Sequence, residues 1–239
     1  MIDLNSKTML SDRINYLING AIIDDSAKKP PREYLGASLV GHECDRKVQY
    51  EWLAVQGQTL PEGFDAQTLR RFDRGNVYED RARRWLQGAG FLFVADSPAI
   101  SDFDGKFGGH VDGVIVGFFY GESPVQLPAL WECKCLASKG WKAIEKDGLR
   151  KYSPTYFGQV QIYMHYFELP RCLFTVVNAD SMELAHYLID YSETEATLIK
   201  AKVSSVFVAT NLGELLPRCT DDKEYYLCKW CAFRGGCWA

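Results

Sequence analysis

Two apolar stretches that each carry charge constrain this chain more than any other feature. In "LWECKCL", Glu132 and Lys134 stand two residues apart. On a strand that spacing points both to one face and sends Trp131, Cys133 and Cys135 to the other. A carboxylate and an ammonium in so apolar a segment are costly to bury unpaired. Upstream, "GGHVDGVIVG" sets Asp112 in another apolar strand, and a hairpin through "YGESPVQLP" brings Asp112 beside Glu132. Two carboxylates and one ammonium at such a point suit a hard divalent cation. Asp112 and Glu132 are then oxygen ligands for Mg²⁺ or Mn²⁺, and Lys134 holds the attacking water or stabilises charge on a phosphate. The plain alternative is a structural ion pair inside a sheet.

The rest of the chain frames these strands. At 239 residues and 47% hydrophobic, it is globular and long enough to bury a substantial core. The spacing of Leu10, Ile14, Leu17 and Ile18 predicts an amphipathic helix over 3–23. Ser38 is placed to cap a helix over 39–53 that carries Cys44. A charged helix is expected over 66–88. After the β-rich middle, "SPTYFGQVQIYMHYFEL" has helical spacing, and "RCLFTVVNA" and "ELAHYLIDY" read as two strands. Ser192 with Glu195 forms a capping box that opens a helix to about 212. The pattern is one mixed α/β domain over 1–239. It has an N-terminal helical region at 1–65, a core at 66–190, and a helix with a cysteine tail at 191–239.

Two further segments flank the charged strands. "RFDRGNVYEDRARRWL" puts Glu79 four residues after Gly75 on a helix, where the ordinary reading is a solvated acid among arginines. "YFGQVQIYMHYF" puts Gln159 and Tyr163 on adjacent turns of one helix face; core packing accounts for the tyrosine, while Gln159 is unusual in so apolar a helix. The series Gly75-x-x-x-Glu79, Asp112, Glu132-x-Lys134, Gln159-x-x-x-Tyr163 resembles the PD-(D/E)xK nuclease superfamily in its RecB-like branch. The match in order and spacing runs over about 70–170. The resemblance implies a restriction-endonuclease-like fold, a mixed central sheet flanked by helices, and Mg²⁺- or Mn²⁺-dependent hydrolysis of DNA phosphodiesters. It also implies a metal-associated role for Glu79, a metal contact from the Cys133 backbone carbonyl, an orienting role for Gln159 and a substrate contact from Tyr163. Many RecB-like members carry a histidine where Glu79 stands; a glutamate there is similar to phage lambda exonuclease and its relatives.

Eight cysteines and no signal-like start suggest a reducing compartment, in which metal-like spacing means metal more than disulfides. Cys228, Cys231 and Cys237 are one short of a tetrahedral site. The resemblance supplies the fourth: Cys44 is similar to the lone early cysteine of iron–sulfur members such as AddB-type nucleases and CRISPR-associated RecB-like exonucleases. It favours a [4Fe–4S] cluster, while spacing alone leaves Zn²⁺ close behind. Cys219 is a possible substitute ligand, and Cys133, Cys135 and Cys172 read as small buried hydrophobes.

The net charge of −4 does not announce a nucleic-acid binder, so any such surface is local. Arg70, Arg71, Arg74, Arg81, Arg83 and Arg84 surround Glu79. Lys139, Lys142, Lys146, Arg150 and Lys151 follow Lys134, with Trp141 and Tyr152 among them to stack on bases. The leading expectation is a metal-dependent DNA nuclease, an exonuclease of recombination, repair or phage DNA processing that acts on single strands or duplex ends. The alternative is an inactive, metal-stapled module that binds nucleic acid or protein. No "GxxxxGK[ST]" run is present, so a helicase or single-strand annealing partner would be a separate chain. No segment has a membrane-spanning length of apolar residues, and the expected place is the cytoplasm, or the host cytoplasm if the chain is phage-encoded.

Overall fold

The computed structural model describes residues 9–59, 61–95 and 98–239. It opens with α1 (Met9–Ala27). Residues 3–8 of the expected helix lie outside the described residues, and the helix runs on to Ala27. Its predicted apolar face does not join the core: Leu10, Ile14, Leu17 and Ile18 are exposed.

β1 (Leu35–Gly36) and a 3-10 turn (Ala37–Leu39) lead to α2 (Asp45–Val55). The helix expected from Ser38 therefore starts later, at Asp45, and Cys44 is its N-cap residue instead of lying inside it. Close packing explains the delay. A Cβ on Gly41 would stand 2.3 Å from the Pro154 carbonyl oxygen, so the chain crosses a later helix with no room for side chains.

α3 (Ala66–Gly88) covers the predicted span. Asp65 caps it by accepting the Thr68 N–H at 2.7 Å. Arg70, Arg71 and Arg74 thus lie within this helix. β2 (Phe91–Phe93), β3 (Ala99–Asp102), β4 (Phe107–His110) and β5 (Gly113–Phe118) follow. The stretch read as one strand around Asp112 is two strands. β4 belongs to a small sheet in the order β1-β4-β3, and β5 belongs to the main sheet. Asp112 sits at the joint.

β6 (Ala129–Leu136), α4 (Ser138–Tyr152), α5 (Pro154–Tyr166), β7 (Arg171–Asn178) and β8 (Leu184–Asp190) complete the core. The main sheet has the order β2-β5-β6-β7-β8. β6 and β7 run parallel, joined through α4 and α5, while the other pairs are antiparallel. The result is the expected mixed sheet, with β6 in its centre. α6 (Glu193–Asn211) starts where the Ser192 side chain accepts the Glu195 N–H at 3.4 Å. α7 (Tyr226–Lys229) and α8 (Arg234–Cys237) carry the tail.

Strand alternation gives the sheet two apolar faces. Leu130, Leu136, Phe174 and Val176 pack with residues of α2, α5 and α6. Trp131, Cys133, Leu173 and Val177 pack with Ala82 and Leu86 of α3. The Trp131 indole donates to Thr175 Oγ1 at 2.9 Å, which satisfies its one polar atom.

Candidate active site

The charged face of β6 lies on the first of these sides. Glu132 is completely buried, and Lys134 reaches it directly as an ion pair. Gly113 pairs with Trp131 across β5 and β6, so Asp112, one residue earlier, stands opposite Glu132. Asp112 Oδ2 accepts the Cys133 backbone N–H at 2.8 Å, which ties the joint between the two sheets to the central strand. Glu79 approaches from α3 and shares one electrostatic neighbourhood with Asp112, Lys134 and Arg83.

Three carboxylates thus crowd around one ammonium. Burial and the charge of Asp112 push the Glu132 carboxyl up to about 8. The same two causes push Glu79 up to about 7. Burial also raises Asp112, against the pull of Lys134 and the Cys133 N–H. Burial works against the Lys134 ammonium, but Glu132 and Asp112 outweigh it and hold the group above the ordinary lysine range. Glu132 Oε2 is buried and has no hydrogen-bond partner. An orphaned carboxylate oxygen beside a second crowded carboxylate is a donor set that a hard cation would satisfy. Among the described residues, no three His, Cys, Asp or Glu groups are drawn in closely enough to hold a single ion. At this site Lys134 occupies Glu132 Oε1 and serves as the local cation.

Gln159 is buried and lines the same cleft as Glu79, Cys133 and Lys134. Behind it, Tyr163 is 2% exposed and hydrogen-bonded to Gln159. Gly109 makes room for it, since a Cβ there would stand 2.5 Å from the Tyr163 hydroxyl. The tyrosine therefore reaches the cleft only through Gln159.

Of the basic and aromatic residues expected to meet nucleic acid, Arg71 lines the cleft, but several others are placed differently from the sequence reading. Trp141 and Tyr152 pack against the main core, because α4 turns those side chains inward. Arg150 pairs with Glu195 at 2.6 Å and Lys151 with Asp147 at 2.7 Å. The aromatics that line the cleft are Tyr34, Phe64, Phe72 and Tyr156. No motif links these four, and their alignment follows only from the packing of α3 over the sheet.

Most of the cysteines meet away from the carboxylates. Cys44, Cys228, Cys231 and Cys237 line one cavity, with Cys219, His42, Lys47 and Arg218 around them. All are free thiols, and the cavity between them holds about 20 Å³. A tetrahedral zinc with sulfur at about 2.3 Å would draw its thiolates to about 3.8 Å from one another. Among the described residues the thiols line the cavity without drawing in to that spacing. Burial, then a hydrogen bond with Cys44, raises the Cys219 thiol. Cys219 thus stands closer to this centre than its place in the sequence suggests. Cys133 and Cys172 are buried and Cys135 half-buried in the sheet, as small apolar side chains.

The fold has solved counterparts. The chain is similar to an alkaline exonuclease from Laribacter hongkongensis, at 19% identity over 83% of this chain and 93% of that one, with a TM-score of 0.52. The structure of that exonuclease in complex with dAMP matches at 19% identity over the same shares, with a TM-score of 0.51. What is shared at that identity is the fold. No protein-family model matches the chain, and no curated protein does.

Proposed function

We propose that this protein is a divalent-metal-dependent DNA nuclease of the PD-(D/E)xK type, RecB-like, acting as an exonuclease. One observation carries the reading: Asp112 and Glu132 stand opposite each other beneath Lys134, which lines a cleft, and Glu132 Oε2 is buried without a partner. The likeness to an exonuclease fold supports it.

Asp112, Glu132, Glu79 and the Cys133 carbonyl would hold Mg²⁺ or Mn²⁺. When bound, that ion supplies Lewis-acid polarisation of the phosphodiester and of water. Lys134 presents a permanent positive charge to the phosphate and orients the attacking water. Glu132 and the Tyr156 ring, 5.4 Å from the ammonium nitrogen, hold Lys134 in place. Gln159 orients Lys134 or the phosphate, and Tyr163 fixes Gln159. For Tyr163 this positioning role replaces the direct substrate contact expected from sequence.

The cysteine cavity extends the reading. Cys44, Cys228, Cys231 and Cys237 would hold a [4Fe–4S] cluster, with Zn²⁺ as the alternative, and staple the early and late parts of the chain. The domain is then one unit over 1–239, whose partners are DNA and a separate helicase or annealing protein. Among the described residues no helix is long and apolar enough to cross a membrane, and a reducing cytoplasm suits free thiols at metal spacing.

Digestion of end-labelled single- and double-stranded DNA with Mg²⁺ or Mn²⁺, against a chelator control, tests the catalytic reading. Metal-dependent release of labelled nucleotides is expected. Binding of DNA with no cleavage under any divalent metal would leave only the non-catalytic module.

A further inference from the structure

The open cleft above Lys134 holds about 920 Å³, and its walls carry more aromatic than cationic side chains. Arg32 and Arg71 join Lys134 there, against Glu51 and Glu79. Duplex binding depends mainly on neutralising many phosphates, and this cleft has few cations to do so. The reacting groups are also recessed, since Glu132 is completely buried and Gln159 is 5% exposed. A duplex is stiff, with a persistence length of about 50 nm, and it cannot send one phosphate down to such a floor without unpairing. A single strand can.

Phe64 and Phe72 stand at the cleft wall, 57% and 48% exposed, with ring centroids 5.0 Å apart in a T-shaped pair. Two large apolar rings held open to water beside an arginine gain little for the fold. They do offer a flat face to a base, and stacking tolerates any base because each has a π-face.

We infer that the cleft takes an unpaired DNA strand, and that Phe64 and Phe72 form a platform that stacks one of its bases while a neighbouring phosphate descends to Lys134. The inference rests on the nuclease reading above and narrows its substrate to single strands and unpaired ends. Arg71, beside Phe72, then contacts the backbone of the same strand. With only Arg32, Arg71 and Lys134 as phosphate partners, log K falls with log salt at a slope of about −2.

The test uses the full-length protein in EDTA, so that binding is read without cleavage. The probe is a short single strand with 2-aminopurine at one end in one set and at the other end in a second set, compared with the blunt duplex of the same sequence. Wild type should bind the single strand at least about tenfold more tightly than the duplex, and quench the fluorophore at one end. Phe64→Leu/Phe72→Leu keeps apolar bulk but removes the ring faces. It should lose about tenfold in affinity or more, together with the quench. Phe72→Trp in a Phe64→Leu background should keep the quench that the double-leucine protein loses. Equal binding of single strand and duplex by wild type would overturn the inference without any variant. So would a double-leucine protein that binds and quenches like wild type. Failure of the nuclease reading shows separately, as wild type that binds in EDTA yet cleaves nothing with Mg²⁺ or Mn²⁺.

Discussion

The carboxylate site and the cysteine cavity are built in opposite ways. Asp112, Glu132 and Lys134 are fixed by the ladder between β5 and β6 and by the long parallel pairing of β6 with β7. Their positions follow from sheet packing, which needs no metal. The cysteines sit on an N-cap, on loops and on two four-residue helices. Helices that short have no stability of their own, so a group bound among the thiols would hold this region together as well as be held by it. The difference teaches that one centre is a strained charge cluster on a rigid frame, while the other is a loosely built joint that a bound ligand would complete.

The largest expected effect breaks the first half of this comparison. Asp112→Asn keeps an oxygen to accept the Cys133 N–H, so the fold should survive. Cleavage should fall by on the order of 10³-fold or more, because a charged donor next to the reacting phosphate is lost. An end-labelled DNA assay with a melting curve on the same preparation reads both. A folded Asp112→Asn protein that cleaves at the wild-type rate would remove Asp112 from the site.

The second half is sharpened by Cys44→Ala and Cys231→Ala. Both should lose iron or zinc, measured by elemental analysis, and both should melt lower by similar amounts, on the order of 10 °C. Protein prepared without oxygen should be brown if the group is a cluster. Stoichiometric zinc in colourless protein would keep the joint and change its occupant. Full thermal stability in both variants would mean that the thiols hold nothing structural.

Much of the carboxylate site is legible in the sequence because its geometry is local. The period of two on β6 alone sorts Glu132 and Lys134 from Trp131 and Cys133. The hairpin length does the same for the approach of Asp112. Glu79 and Gln159 become legible only beside those two, since an acid among arginines or a glutamine in an apolar helix says little alone. Other features depend on distant packing. α4 is interrupted at Gly148, whose φ of 75° breaks its periodicity, and Trp141 and Tyr152, read as surface groups, are half-buried against the core. The late start of α2 is set by the crossing at Pro154. The cleft aromatics come from separate segments that meet only once α3 lies over the sheet.

Glu79 offers a smaller test within the carboxylate site. It is half-buried and stands on α3, outside the strand ladder. Glu79→Gln should therefore cost about tenfold in cleavage, much less than Asp112→Asn. An equal loss for the two would make α3 as central to the chemistry as β6.

The smallest effect is on stability against pH. Glu132 rises from 4.5 to about 8 in the folded state. A carboxyl with a raised folded pKa binds its proton more tightly when folded. Its contribution is fully present below the unfolded value and is lost as pH climbs through the folded one. Metal-free wild type should thus lose thermal stability relative to Glu132→Gln between about pH 5 and about pH 8. A constant gap between the two proteins would show that Glu132 carries no such strain.

Manganese binding tests the central claim most directly. The claim is that Asp112 and Glu132 form a cation site on a frame that exists without the cysteine centre. Electron paramagnetic resonance would follow Mn²⁺ titrated into wild type, Asp112→Asn and Cys231→Ala at a temperature where all three are folded. Wild type and Cys231→Ala should bind Mn²⁺ alike, and Asp112→Asn should bind at least about tenfold more weakly. Equal binding by Asp112→Asn and wild type, or loss of Mn²⁺ only in Cys231→Ala, would contradict the account.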